Sequence, residues 1–129
     1  MSAMWSHDEL QRIGDAEELQ LASARGDGPL SAYVTMWVVR AGNEIYVRSA
    51  GGPERPWHRR AIASGAGRIR VGGAERAVTF GAAADEAHPA IDAAYHAKYD
   101  QYGSAIVGHV VGDDAKPVTI RLVPRSGEH

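Results

Sequence analysis

The feature that most constrains how this chain folds is the segment SAYVTMWVVR, residues 31–40, in which β-branched and aromatic residues dominate. Such side chains favour strands because they pack well on a pleated, half-buried surface. The turn residues Ala41, Gly42 and Asn43 follow, and then a second apolar segment, EIYVRS, over residues 44–49. Two strands joined by so short a turn form an antiparallel hairpin. The sequence therefore predicts a β-hairpin over residues 31–49.

Other parts of the chain predict further strands. Residues 17–24, EELQLASA, alternate leucines with polar or small residues, which favours a strand, with a second helix as the alternative. The turn residues RGDGP, 25–29, separate this segment from the hairpin. Residues 67–71 and 77–82 predict two strands around a glycine turn, and residues 118–123 predict the last strand.

Three segments predict helices. Ser6 and Glu9 have the spacing of a capping box, which opens a short helix that ends at Gly14. Pro56 suits the first position of a second short helix, where no backbone donor is needed. Residues 85–102 predict the longest helix.

These elements together predict a mainly β fold with helices. The expected architecture is a small antiparallel barrel of about six strands, with the short helix after the third strand and the long helix before the last. At 129 residues, the chain suits one domain, residues 1–129, with an N-terminal helical segment over residues 1–17.

Composition excludes several classes of protein. The chain has no cysteine, so disulfides, catalytic thiolates and zinc–thiolate sites are excluded. No apolar run approaches the ~20 residues that span a membrane, and the N-terminus lacks the basic and apolar regions of a signal peptide. We therefore expect a cytoplasmic protein without a membrane partner. Arginine outnumbers lysine 12 to 2, which indicates a GC-rich bacterial genome.

Positive charge is concentrated in one part of the sequence. The net charge is −2, but residues 48–76 hold seven arginines against Glu54 and Glu75, a local charge of +5 that leaves −7 elsewhere. Such a patch on an acidic protein favours a small anionic ligand. The alternative is that these arginines are solvated and paired with acids elsewhere. Nucleic acid is not expected, because the loop and helix of the patch offer only Trp57 for stacking on bases.

The segment SAGGPERPWHRRAIASG, residues 49–65, combines a strand that ends in serine, a glycine-rich turn and a Pro-Trp pair that opens a helix. With the order of elements, it resembles the split β-barrel of flavin-binding proteins, the superfamily of pyridoxamine-phosphate oxidases and deazaflavin-dependent nitroreductases. More narrowly, WVVRAGNEIYVRSAGGPERPWHRRA, AAYHAKY and TIRLVPR resemble the domain-of-unknown-function family 2255 over nearly the whole chain. The resemblance implies an FMN-binding-like split barrel, a homodimer, and FMN or a deazaflavin as cofactor.

The resemblance also indicates residues of the cofactor site. Arg48, Ser49 and Trp57 match positions of that site, and an arginine at the strand end is a common phosphate ligand in the wider superfamily. After the tryptophan, the deazaflavin reductases usually carry an aromatic residue and an asparagine, and His58 and Arg60 occupy those two positions here, with Arg59 between them. These two arginines are therefore further candidates for binding the cofactor phosphate, although the asparagine of the family pattern is absent.

The chemistry of this segment suits an anion. Arginine forks bind phosphate oxygens, a serine hydroxyl adds a donor, and a helix N-terminus adds backbone amides. Gly51 and Gly52 would let the backbone approach the anion closely. The alternative is that Ser-x-Gly-Gly is an ordinary loop, and that Trp57 anchors its helix instead of lying along a flavin ring.

Three residues are candidates for proton transfer. Tyr95 and Lys98 lie three positions apart on the long helix, and a lysine can lower the pKa of a neighbouring tyrosine inside a pocket. The alternative is that Tyr95 packs on the barrel while Lys98 extends to water. His58 is a candidate proton donor beside the cofactor, or else a surface residue.

A metal site is not expected. His88, Asp92 and His96 are spaced four residues apart on the long helix. Two helical turns, however, separate the histidines by about 12 Å, which is too far for one ion to bind both.

Two functions remain open from the sequence. The first is a flavin- or deazaflavin-binding oxidoreductase that acts on a small conjugated or aromatic organic molecule. The second is a protein that uses the same barrel cleft for a small molecule without a redox cofactor, either as a carrier or as a non-redox enzyme of the cyclase or isomerase type.

Overall fold

The computed structural model describes residues 4–24 and 30–125. In this part of the chain, seven strands form one antiparallel sheet in the order β2-β1-β5-β6-β7-β4-β3, which curls into a nearly closed barrel. The strands are β1 (Glu18–Ser23), β2 (Val34–Trp37), β3 (Val39–Ala41), β4 (Glu44–Arg48), β5 (Ala66–Val71), β6 (Ala74–Gly81) and β7 (Thr119–Pro124). The helices are α1 (His7–Asp15), α2 (Pro56–Ser64), α3 (His88–Tyr99) and α4 (Ser104–Val107), with 3₁₀ turns at Asp85–Ala87, Asp100–Tyr102 and Asp113–Val118.

The predicted mainly β barrel with helices is confirmed, and so are most of its elements. Residues 18–23 form a strand and not the alternative helix. The hairpin is present as β3 and β4, with Val39 opposite Tyr46 and a turn through Gly42 at φ 63°. The Ser6 hydroxyl accepts a hydrogen bond from the Glu9 amide at 3.1 Å, and the Glu9 carboxylate accepts one from the Ser6 amide at 2.9 Å. The predicted turn over residues 25–29 lies outside the described residues.

The prediction of one continuous strand over residues 31–40 is wrong. The segment divides at Val38 into β2, which pairs with β1, and β3, which pairs with β4 at the other end of the sheet. The backbone groups of Val38 bond to side chains of α3: its N–H donates to the Tyr99 hydroxyl at 3.1 Å, and its carbonyl accepts from Lys98 Nζ at 2.7 Å. Because these side chains replace strand partners, the chain can bend here and bring the two ends of the sheet together.

The helical boundaries also differ in detail from the prediction. Helix α1 continues one residue past Gly14, to Asp15. The segment 85–102 is an α-helix only over its central part, between two 3₁₀ turns, and α4 was not predicted. Helix α2 begins at Pro56, as predicted, and is capped by Gly65 at φ 72°.

Two apolar clusters stabilise the barrel. The first fills its interior and includes Trp5, whose indole N–H donates to the Leu122 carbonyl at 3.0 Å, together with Trp57 at the start of α2. The second lies beneath α3 and includes Tyr95 and Tyr99, both fully buried. Within the described residues, no helix is long and apolar enough to cross a membrane.

Candidate functional site

Arg48, the last residue of β4, has a fully buried side chain with a dense set of partners. Its guanidinium donates to Thr119 Oγ1 at 2.8 Å, Asp92 Oδ1 at 2.5 Å and the Val110 carbonyl at 2.7 Å, and it lies 3.1 Å from His88 Nδ1. These contacts use four of the five N–H groups of an arginine. Arg48 therefore links β4 to β7 and α3.

The same contacts explain the polar residues His88 and Asp92, which lie one turn apart on α3. His88 and Asp92 both face the Arg48 guanidinium, whereas His96 pairs with Asp100 at the surface, at 2.8 Å. His88 and Asp92 thus position the buried Arg48 guanidinium, and the Asp92 carboxylate balances its charge. Among the described residues, no group of three or more histidine or acidic side chains could hold a metal ion.

An open cleft of 340 Å³ lies beside Arg48. It forms where β2 and β4 approach each other, two strands that are not paired with one another among the described residues. Its walls come from β2, from the loop after β4 and from the start of α2. The lining residues are Thr35, Met36, Trp37, Arg48, Ala50, Gly51, Arg55, Trp57 and Val110.

Arg55 is the exposed cation of this cleft. Its side chain lies over Gly51 so closely that a Cβ atom at Gly51 would sit 1.7 Å from Arg55 Nε. A side chain at position 51 would therefore displace the guanidinium. Arg55 is also the N-cap residue of α2, so its charge lies beside the positive end of a helix dipole. Arg55 was predicted only as part of the basic patch and not as a site residue, although its position directly before Pro56 was a usable signal.

Ser49 shapes the loop beside the cleft. Its hydroxyl donates to the Gly52 carbonyl at 2.6 Å, and the Gly52 amide donates to the Ser49 carbonyl at 3.1 Å. Gly52 has φ 88°, a conformation that favours glycine. Because its single proton is used within this turn, the Ser49 hydroxyl can accept from a ligand but does not donate to a phosphate.

Arg59 and Arg60 do not join Arg48 in one cradle. Together with Pro56 and Ala63, they line a separate surface groove of 390 Å³, on another face of α2. Spacings of three and four residues place these side chains on one helical face, while Trp57 and His58 are buried. The structure therefore separates the six residues predicted to form one anion site.

Trp57 contributes both to the core and to the cleft. It is 9% exposed, belongs to the barrel interior and meets the His58 ring edge-on, with centroids 5.6 Å apart. His58 is also buried, and burial lowers its pKa, while a hydrogen bond with the Pro53 backbone acts in the opposite direction. Its Nε2 has no hydrogen-bond partner among the described residues. His58 is therefore an interior residue behind Trp57 and not the surface residue considered above.

Tyr95 and Lys98 have different surroundings. Tyr95 is fully buried under Arg48, whose guanidinium carbon lies 5.7 Å from the ring centroid. Burial raises the Tyr95 pKa and the Arg48 charge partly offsets this, so its hydroxyl stays protonated. Lys98 instead contacts Val38 and lies 5.4 Å from the centroid of the Tyr99 ring. Neither residue lines the cleft beside Arg48, so the structure does not bring the predicted proton-transfer pair to it.

The arrangement of strands, helices and cleft can be compared with known proteins. The sequence pattern of a family described as "Uncharacterized protein conserved in bacteria (DUF2255)" matches residues 9–122. The chain belongs to this family. No curated protein matches the sequence.

Solved structures with the same architecture as this DUF2255 chain are distant in sequence. A candidate pyridoxamine 5'-phosphate oxidase from Listeria innocua has a TM-score of 0.56 at 17% identity, over 91% of this chain and 90% of that one. An FAD-binding protein from Mesorhizobium loti has a TM-score of 0.57 at 17% identity, over 98% and 94%. A protein of unknown function from Agrobacterium tumefaciens has a TM-score of 0.62 at 8% identity, over 99% and 58%. These similarities show that the DUF2255 chain has the FMN-binding split-barrel fold.

Proposed function

We propose that this protein is an oxidoreductase that binds a flavin or a deazaflavin in the cleft between β2 and α2 and acts on a small conjugated or aromatic organic molecule. The observation that carries the proposal is the cleft itself, in which Trp37 and Trp57 provide aromatic walls and Arg55 provides a cation beside a glycine-rich loop. The fold shared with an FAD-binding protein supports the assignment.

The size of the cleft indicates how a cofactor would be held. Its 340 Å³ lies near the lower end of the range of about 300–1,000 Å³ for ligand pockets. We therefore expect the ring system to occupy the cleft and the phosphate to lie at its rim. Arg55 would donate to the phosphate, because arginine forks bind phosphate oxygens strongly.

The bound cofactor would supply the hydride chemistry, and the chain would orient it and restrict access of water. Trp37 stacks on Tyr99 with ring centroids 4.0 Å apart, so this wall of the cleft is held in one orientation. The lining includes no titratable group besides the two arginines. The proton that accompanies hydride transfer therefore comes from solvent in this proposal, and His58, Tyr95 and Lys98 are not assigned to it.

The proposal is tested by titrating the purified protein with FMN, FAD and a deazaflavin cofactor while following the cofactor absorbance. We expect saturable binding of at least one of the three, with a spectral shift caused by transfer of the ring into the apolar cleft. Unchanged spectra with all three cofactors at high protein concentration would contradict the proposal.

A second function is favoured by one specific observation. Four donors of Arg48 and the hydroxyl proton of Ser49 are used inside the protein, so fewer groups are free for a phosphate than the resemblance implies. A small aromatic anion held by Arg55 alone would need fewer donors, and the protein would then act as a carrier or a non-redox enzyme. Binding of an aromatic carboxylate, lost in Arg55→Ala and accompanied by no flavin binding, would support this alternative.

A further inference from the structure

A second cleft of 340 Å³ lies between α1, β3 and α3. It shares no lining residue with the cleft beside Arg48. Its lining is largely apolar and includes one lysine, one arginine and one carboxylate. The lining residues are Leu10, Gly14, Asp15, Val39, Arg40, Ala94, Ala97 and Lys98.

Lys98 lines this cleft, and contacts with the neighbouring residues hold its amine in one position. Its Nζ donates to the Val38 carbonyl at 2.7 Å and lies 5.4 Å from the centroid of the Tyr99 ring. Burial lowers the Lys98 pKa to about 8, although the carboxylates of Glu17 and Asp15 act in the opposite direction. A much larger fraction of this amine is neutral at pH 7 than is usual for a lysine, whose pKa is about 10.4. The neutral fraction of a positioned amine that lines a cleft can act as a nucleophile.

We propose that the cleft between α1 and α3 binds a small uncharged aldehyde and that Lys98 forms an imine with it. An uncharged ligand fits because the lining besides Lys98 carries one negative charge, on Asp15, and one positive charge, on Arg40. The apolar side chains of Leu10, Val39 and the two alanines would contact the alkyl part of the aldehyde.

The reaction needs no oxidant or reductant. The Nζ lone pair attacks the aldehyde carbon, the carbinolamine loses water, and the carbon–oxygen double bond is replaced by a carbon–nitrogen double bond. The protonated imine keeps one N–H, which can still donate to the Val38 carbonyl. Its positive charge lies near Asp15 and Glu17, whose carboxylates already favour the charged form of Lys98.

The composition of the chain allows a clean test, because Lys98 and Lys116 are its two lysines. The Lys116 side chain is 49% exposed and pairs with Asp113 at 3.0 Å, so it serves as the internal reference. The full-length protein is treated with butyraldehyde and sodium cyanoborohydride at pH 7, and the reduced adducts are located by peptide mass mapping. We expect Lys98 to react at least about tenfold faster than Lys116, because burial lowers the Lys98 pKa.

The dependence on aldehyde concentration separates a binding site from mere reactivity. The rate at Lys98 should saturate as butyraldehyde is raised, whereas the rate at Lys116 should rise linearly. The variant Lys98→Arg, which keeps a donor for the Val38 carbonyl, should lose the adduct at position 98 and keep the one at Lys116. Equal rates at the two lysines, or a rate at Lys98 that never saturates, would overturn the proposal. This result is independent of flavin binding, because no lining residue is shared.

Discussion

At the scale of single residues, the buried Arg48 is the group on which most of the local architecture depends. Sequence reasoning identified it as the arginine at the strand end, and the structure places it beside the cleft. Its burial could not be predicted, because Asp92, Val110 and Thr119 lie more than forty positions away in the chain. The grouping of Arg59 and Arg60 on another face of α2 was predictable from helical periodicity, whereas the number of arginines in the segment carries no information about which face they occupy.

The first prediction at this scale concerns Arg48→Met. Removing the guanidinium leaves the Val110 carbonyl and the partly exposed Asp92 carboxylate without their partner, and leaving such groups unpaired costs about 1–3 kcal/mol. We expect a loss of this order in the free energy of unfolding, measured by urea denaturation. Arg59→Met is the matched control, since an exposed arginine should change stability by no more than about 0.5 kcal/mol. Equal effects of the two substitutions would show that the Arg48 contacts contribute little.

A second prediction concerns the pH dependence that Lys98 produces. Its pKa is lowered in the folded state to about 8, so between pH 8 and the unfolded pKa the unfolded chain binds more protons. The contribution of Lys98 to the free energy of unfolding should therefore rise with pH across this interval. The free energy of unfolding of the wild type minus that of Lys98→Met, measured from pH 7 to 9.5, should increase with pH. Lys116→Met is the control for removing a lysine from the surface. A difference that decreases with pH would contradict a lowered Lys98 pKa in the folded protein.

At the scale of elements, the break between β2 and β3 shows what local sequence could and could not predict. The strand propensity of residues 31–40 was interpreted correctly, and both halves are strands. The division at Val38 depends on the hydroxyl of Tyr99 and the amine of Lys98, about sixty residues later. No local pattern carries that information. The capping box of α1 and the glycine turns depend on neighbours in sequence, and they were predicted correctly.

The corresponding prediction is that Tyr99→Phe weakens this junction. The substitution keeps the ring that stacks on Trp37 but leaves the Val38 amide without its acceptor, which costs about 1–3 kcal/mol. Hydrogen exchange should show faster exchange of the Val38 amide, together with lower global stability. Tyr102→Phe is a suitable control because Tyr102 is 43% exposed and its hydroxyl contacts the Glu17 side chain at the surface. Unchanged protection of Val38 in Tyr99→Phe would contradict this account of the break.

At the scale of the whole molecule, the homodimer implied by the resemblance remains a prediction. Strand β2 is at one end of the sheet order, and its residues are only partly buried. The same strand forms one wall of the cleft beside Arg48, so a partner packed on β2 would also cover the proposed cofactor. Nucleic acid is still not expected as a partner.

Sedimentation velocity tests this prediction. We expect the wild-type protein to sediment as a dimer and Met36→Glu, which places a charge on β2, to sediment as a monomer with weaker cofactor binding. Ile62→Glu on α2, where the native side chain is 62% exposed, should leave the dimer intact. A wild-type protein that is monomeric at all concentrations would exclude the interface.

The measurement that tests the central claim most directly is the affinity for the cofactor of the wild type, Arg55→Ala and Arg59→Ala, determined by calorimetric titration with whichever cofactor binds. If the phosphate lies on Arg55, its removal should weaken binding by about tenfold or more, the value of one charge-assisted interaction. Arg59→Ala should bind like the wild type, because Arg59 lines a different groove. Equal affinity of the wild type and Arg55→Ala, or a loss confined to Arg59→Ala, would contradict the assignment of the cleft.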